Sequence, residues 1–220
     1  MKTNLLKINK STNKFTKSIL FVFLLVNTFN LVASDSSFYG KVNLDILSTE
    51  INSKSSSETN SNASRIGYKS KFKLSDNVNF LIQIENEIDV TDGKADKNKV
   101  LKQRNTFIGI SGDFGKLFIG THDTAFKKSQ LKVDLFNDSK SDIKNLFVGE
   151  NRSQDLVGYT SPELIDGLKI TLNNIKTSSK NYQSYAFNYN KENFKSSLGF
   201  DSGLKGFESK RFALTKTLNK

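Results

Sequence analysis

Charges recur at every second position in two neighbouring stretches of this chain. Arg65, Lys69, Lys71 and Lys73 share one parity with Gly67, and Glu85, Glu87 and Asp89 share one parity a few residues further on. At that spacing the side chains project to one side of an extended strand. The chemistry within reach is therefore electrostatic. Two facing rows of opposite sign contribute ~0.2–1 kcal/mol per cross-strand pair, or they form a wall whose field acts on ions in solution. The same charges also suit a wall that only solvates itself. Candidates for bond-making are few. The chain has no Cys and one His, so there is no disulfide, no thiolate site and no His cluster for zinc. Asp134, Asp138, Asp142 and Glu150 lack the EF-hand spacing and read as a solvated loop. Gly109, Gly112, Gly115 and Gly120 precede no helix, so they serve turns and close strand packing rather than a phosphate. His122 reads either as a pH-sensitive wall residue or as a strand-end histidine. No nucleophile–base set is visible, and neither an enzyme, a metal nor a cofactor is expected.

The elements that carry these charges have a period of two. From residue 78 to 90, six of seven even positions are apolar, against one of six odd positions. That is a strand with one apolar and one wet face. Ile66, Tyr68, Phe72 and Leu74 oppose Arg65, Lys69, Lys71 and Lys73 in the same way, and Phe38, Val42, Leu44 and Ile46 oppose Tyr39, Lys41, Asn43 and Asp45. Further strands are expected at 104–111, 116–122, 152–161, 168–177, 182–190, 194–202 and 206–218. Ten are expected in all, several near the ~9–11 residues of a tilted membrane-spanning strand.

Composition narrows the class. The hydrophobic fraction of 36% lies below the ~45–50% apolar share of a soluble domain, so a large dry core is not expected. Five lysines and no acid precede residue 35; without them 28 basic residues face 22 acidic ones, a net charge of +6 rather than +11. Much of the basic excess thus belongs to a leader, and no nucleic-acid partner is expected. The leader has a basic start, an apolar run from Ile19 to Val26 and small residues at Ala33 and Ser34. This predicts a cleaved signal peptide over 1–34 and export, with the remainder, 35–220, as the mature domain. An uncleaved anchor is the alternative, but the apolar run is short of the ~20 residues a span takes.

Connections alternate in length. Short turns are expected at 75–77, 112–115, 162–167 and 191–193, and longer Ser/Asn/Lys-rich loops at 48–64, 91–103 and 124–151. The loops near 178–181 and 203–205 are short. Short turns on one side and longer loops on the other are the plan of a transmembrane antiparallel up-and-down β-barrel. A soluble sandwich alternates too. Aromatics near strand ends (Phe38, Tyr39, Phe107, Phe118, Tyr159, Tyr182, Tyr185, Tyr189), heavily charged wet faces and low hydropathy favour the barrel in lipid.

Ser64-Arg65-Ile66-Gly67-Tyr68-Lys69 resembles a strand-two phrase of the general porins of Gram-negative bacteria. Asn105 to Gly120, with its Gly-Asp-Phe-Gly turn, is similar to their paired-strand phrase, and Arg104 stands where that phrase carries an arginine or its neighbour. Asn151 to Pro162 resembles the strand after their constriction loop, and Phe38-Tyr39-Gly40-Lys41-Val42 their first strand. The likeness covers most of 36–175 in order. It implies a barrel of roughly sixteen strands, of which about ten are present, usually in a homotrimer. It implies passive diffusion of ions and small hydrophilic solutes, contact with outer-membrane lipid, and handling by the export and barrel-assembly machinery. It implies that the third loop, 124–151, folds into the pore. There Asp134, Asp138, Asp142 and Glu150 would face wall residues Arg65, Lys69, Lys71, Arg104, His122 and Arg152, with Glu85 and Glu87 beside them.

Two departures stand against the pattern. Thr121-His122-Asp123 replaces the Arg-Gln that often follows Gly120 in the family. The chain ends Leu218-Asn219-Lys220 rather than in an aromatic residue. A truncated reading frame is therefore one expectation, and such a piece, with two open sheet edges, is not expected to conduct alone. A closed ten-stranded barrel serving as an adhesin or envelope anchor is the other alternative. Against it, a loop as long as 124–151 would fill so narrow a lumen.

Overall fold

The period-two segments become strands, and each pairs with a neighbour in the order the turns dictate. The computed structural model describes residues 33–96 and 99–218. The leader expected over 1–34 lies, up to Val32, outside the described residues. In chain order the strands are β1 (Ala33–Lys41), β2 (Leu44–Ile51), β3 (Lys54–Ser61), β4 (Arg65–Ser75), β5 (Val78–Ile88), β6 (Leu101–Gln103), β7 (Thr106–Gly112), β8 (Gly115–Asp123), β9 (Arg152–Thr160), β10 (Leu168–Lys176), β11 (Asn181–Lys191), β12 (Phe194–Ser202) and β13 (Glu208–Lys216). One short helix, α1 (Ala125–Lys128), opens the longest loop. Ten strands form an antiparallel meander, β1-β4-β5-β7-β8-β9-β10-β11-β12-β13, with β6 pairing β5.

Tight turns fix the register. Ser75 pairs with Val78, Gly112 with Gly115 and Lys191 with Phe194, so each connection holds two residues. Gly115 has φ +100, and a Cβ there would overlap the Thr160 carbonyl of β9. Glycine is thus required both by the turn and by the close approach of the next strand.

The first strand differs from the expectation. It stops at Lys41, and the expected loop 48–64 is mostly a separate hairpin, β2–β3. The break is held by polar side chains. Ser64 Oγ accepts from Asn43 N–H at 3.0 Å, and Asn43 Nδ2 donates to the Asn62 carbonyl at 2.9 Å. Asn52 and Ser53 turn the hairpin at φ 51 and 60, the left-handed conformations that a two-residue primed turn needs.

The sheet has the inverse of a soluble core. Apolar residues of the outer parity, such as Ile66, Ile84, Ile108, Ile119 (52% exposed), Leu172 and Phe212, stay about half exposed or more. A contiguous apolar belt of this kind suits contact with hydrocarbon. The inner parity carries the charges, and it also holds the small core. Phe107, Phe118, Leu156 (0% exposed) and Ile175 cluster there with Leu204.

Candidate functional site

The inner face is crossed by the loop 124–151, and the residues that fasten it are on both flanks of the sheet. Thr124 caps α1, its Oγ1 accepting from Lys127 N–H at 3.1 Å. The first N–H groups of a helix have no partner of their own. Here Ala125 N–H donates to Asn173 Oδ1 at 2.6 Å and Phe126 N–H to Ser184 Oγ at 2.9 Å, both on the inner faces of β10 and β11. Phe126 is 2% exposed. It lies against Gly149 and under the Arg211 guanidinium, 4.5 Å from the ring centre. Gly199 on β12 lets Ser129 sit on the backbone; a Cβ there would overlap Ser129 Oγ. Arg211 on β13 also donates to the Phe126 carbonyl at 3.3 Å and pairs with Glu150 at 2.6 Å.

The other attachment is at the opposite end of the sheet. Asp138 stands 3.4 Å from Arg65 on β4 and 3.9 Å from Lys41 on β1. Lys140 bonds Glu58 of the β2–β3 hairpin. One loop reaches both the β10–β13 wall and the β1–β4 wall, so the sheet must curl around it.

The four loop acids divide by task. Asp134 is used within the loop, accepting from Phe136 N–H at 2.9 Å and Ile143 N–H at 3.0 Å. Asp142 accepts from Asp138 N–H and Lys144 N–H, each at 2.8 Å. Burial pulls its carboxyl up, but those two N–H groups and the Lys144 ammonium outweigh it, and the net shift is down. Asp138 and Glu150 reach the wall. Burial raises Glu150 above the usual carboxylate range, and Arg211 and Lys127 offset only part of that.

The wall residues pair among themselves more than with the loop. Arg104 Nε meets Glu85 Oε1 at 2.9 Å and Arg104 Nη1 meets Glu87 Oε2 at 2.8 Å, while Lys102 holds Glu87 at 3.2 Å. Tyr39 donates to Glu85 Oε2 at 2.9 Å, its ring lying over Gly67. Arg152 pairs with Asp123 at 3.0 Å and donates to Asn105 Oδ1 at 2.9 Å. Lys127 joins Asp123 at 3.1 Å.

The facing rows of β4 and β5 meet at a single charge pair, because the register sets Arg65 against Glu87, Gly67 against Glu85 and Lys69 against Gln83. Even there the Arg65 guanidinium goes to Asp138. Lys69 and Lys71 are exposed on the inner parity, with Lys71 in register with Asp35 and Leu81. His122 does not open to solvent. It is 7% exposed, packed against Phe107 and Phe118 with ring centres 5.2 and 4.6 Å away, and its Nδ1 is 2.7 Å from the Asp123 carbonyl. His122 shares the parity of Phe118 on β8, which places its ring on the same face as that cluster.

Reading the residues missed Asp123, Asn173, Ser184 and Arg211. Asn173, Ser184 and Arg211 have the parity of the wet face, which was the available signal, but the loop they hold is far away in the chain; Asp123 has the parity of Ile119, and alternation gave no signal for it. Arg104 and Arg152 pair with the wall acids Glu85, Glu87 and Asp123 and not with the loop acids. The arrangement sets fixed charges on one face of the sheet and lays across them a loop tethered at both flanks.

A family model described as Gram-negative porin matches residues 22–214. The major outer membrane protein P.IB of Neisseria sicca is 35% identical over 103 residues, 45% of this chain and 28% of that protein. The anion-selective porin from Comamonas acidovorans superposes with a TM-score of 0.61 at 17% identity, covering 82% of this chain and 62% of that one. Salmonella typhi OmpF, solved in complex with daunomycin, gives a TM-score of 0.61 at 16% identity, covering 76% and 53%. The chain spans less than two thirds of each of these relatives.

Proposed function

Because this chain belongs to the Gram-negative porin family, we propose that it walls a water-filled outer-membrane channel through which ions and small hydrophilic solutes diffuse, with loop 124–151 setting the waist. The observation that supports this is the two-sided tether, Asp138 to Arg65 and Lys41 on one flank and Glu150 to Arg211 on the other. A loop held at both walls narrows a lumen without drifting out of it. Selectivity then follows from width and from the fixed charges at that waist. Field lines crowd between low-dielectric walls, so a few residues dominate.

The proposal includes export by a cleaved leader, insertion by the barrel-assembly machinery and a homotrimer in the outer membrane. The test uses protein extracted from outer membranes in mild detergent and reconstituted in planar bilayers. Discrete ohmic steps are expected. Asp138→Asn is expected to change the step size and shift selectivity toward anions, because one waist carboxylate is lost while Arg65 and Lys41 remain. Electrical silence from correctly inserted, heat-modifiable protein would overturn the channel and favour the anchor.

A further inference from the structure

Inward-facing charge is not spread evenly from one strand end to the other. Towards the long loops, Glu85, Glu87, Asp123 and Asp201 lie on strands of the inner face, and each arginine there has a carboxylate partner: Arg65 with Asp138, Arg104 with Glu85, Arg152 with Asp123, Arg211 with Glu150. Towards the short turns the pattern changes. Register carries one row around the wall: Lys73 opposite Asn79, Asn79 opposite Ser111, Ser111 opposite Lys116, Lys116 opposite Thr160, Thr160 opposite Thr171. Directly opposed residues of a ladder share a face, so all of these point inward with Arg65. Lys169 pairs with Asn188, and Lys195 lies between Asn190 and Thr215. Lys69 and Lys71 complete the set on β4.

This half of the wall therefore holds six lysines; five are interleaved with amides and hydroxyls, and Lys116 lies 4.7 Å over the Phe107 and Phe118 rings. Among the described residues Asp35, opposite Lys71, is the inward strand carboxylate here. In the turns Asp76 holds Lys73 at 2.8 Å, and Asp166 holds the outward Lys191.

We infer that the short-turn half of the inner wall is a binding vestibule for small multivalent oxyanions of the phosphate class, an assignment that rests on the channel reading above. Successive β4 lysines are spaced ~7 Å apart, within a Debye length of about 8 Å at physiological salt, so their potentials add, and Lys116, Lys169 and Lys195 stand on every second or third strand further round the same wall. A potential that enriches a monovalent anion about threefold enriches a divalent one about ninefold, since the charge enters the exponent. Chloride is thus favoured far less than a phosphate dianion. The amides and hydroxyls donate to the oxygens once the anion is held.

The probe is inorganic pyrophosphate, titrated calorimetrically at low ionic strength into the protein extracted from outer membranes, with chloride as the reference anion. Pyrophosphate is expected to bind, and Lys69→Gln/Lys71→Gln/Lys73→Gln to weaken it about tenfold. The equal charge change at Lys54, Lys94 and Lys99, in the hairpin and a long loop, is expected to leave binding unchanged. Replacing the three β4 lysines by Arg, which keeps the charge, reports on folding and is expected to bind as the parent does. Equal weakening by the β4 and control triples, or no preference for pyrophosphate over chloride, overturns the vestibule. The bilayer recording separates the two claims. Steps that pyrophosphate does not block overturn the vestibule and keep the channel. Site-specific binding without steps keeps the lysine site and overturns the channel.

Discussion

At the residue scale, position decides what a charge does. Asp134, Asp138, Asp142 and Glu150 are the same chemistry within one loop, yet two close turns and two reach the wall. Asp142 gives a pH dependence with a definite sign. Its folded-state pKa lies below the ordinary 3.8, so its contribution is present above that value and is lost as pH falls through the lowered one. Pepsin digestion is expected to spare the loop just above pH 3.8 and to cut it well below. Asp142→Asn, which lacks the charge, is expected to be cut at both. Which acids take which task was not legible. Asp134 and Glu150 follow apolar residues and Asp138 and Asp142 polar ones, a difference that does not sort them by task, and the hydrogen bonds that separate them depend on turns closed by other residues.

At the element scale, the strands were readable because each presents a different medium on each face, and period two follows directly. The β2–β3 hairpin was not. Ser55, Ser56 and Ser57 face water on both sides, so no alternation marks them as a strand. The docking of α1 was equally hidden, because Asn173, Ser184 and Gly199 look like ordinary wet-face residues until the loop is laid on them. Gly199→Val tests that docking. Its side chain needs the space of Ser129, so α1 is expected to lift from β11 and β12 while the strands stay paired. Hydrogen exchange reads this out. The Ala125 and Phe126 amides are expected to lose protection, and those of β11 to keep it. Loss of each buried hydrogen bond costs about 1–3 kcal/mol.

At the scale of the whole molecule, the two faces of the sheet require different surroundings. Ile119, near the middle of β8 and half-exposed on the outer parity, is expected to tolerate no charge. Ile119→Lys should cost about 2–4 kcal/mol of folding free energy in lipid vesicles if it lies near the bilayer midplane. Gln83→Lys, on the inner face in register with Lys69 and Phe107, should cost within about 1 kcal/mol, the range of a cross-strand like-charge pair. Urea-driven unfolding in vesicles compares them. Equal costs would mean that the two faces see the same medium.

A strap fixed at one end swings; a strap fixed at both ends only hums. Arg65 and Arg211 grip the loop from opposite walls, so in the proposed channel the gap beside it is set by bond lengths rather than by diffusive wandering. The current through it should accordingly be quiet. Its power spectrum should be close to the thermal floor, with slow flicker appearing when either grip is released.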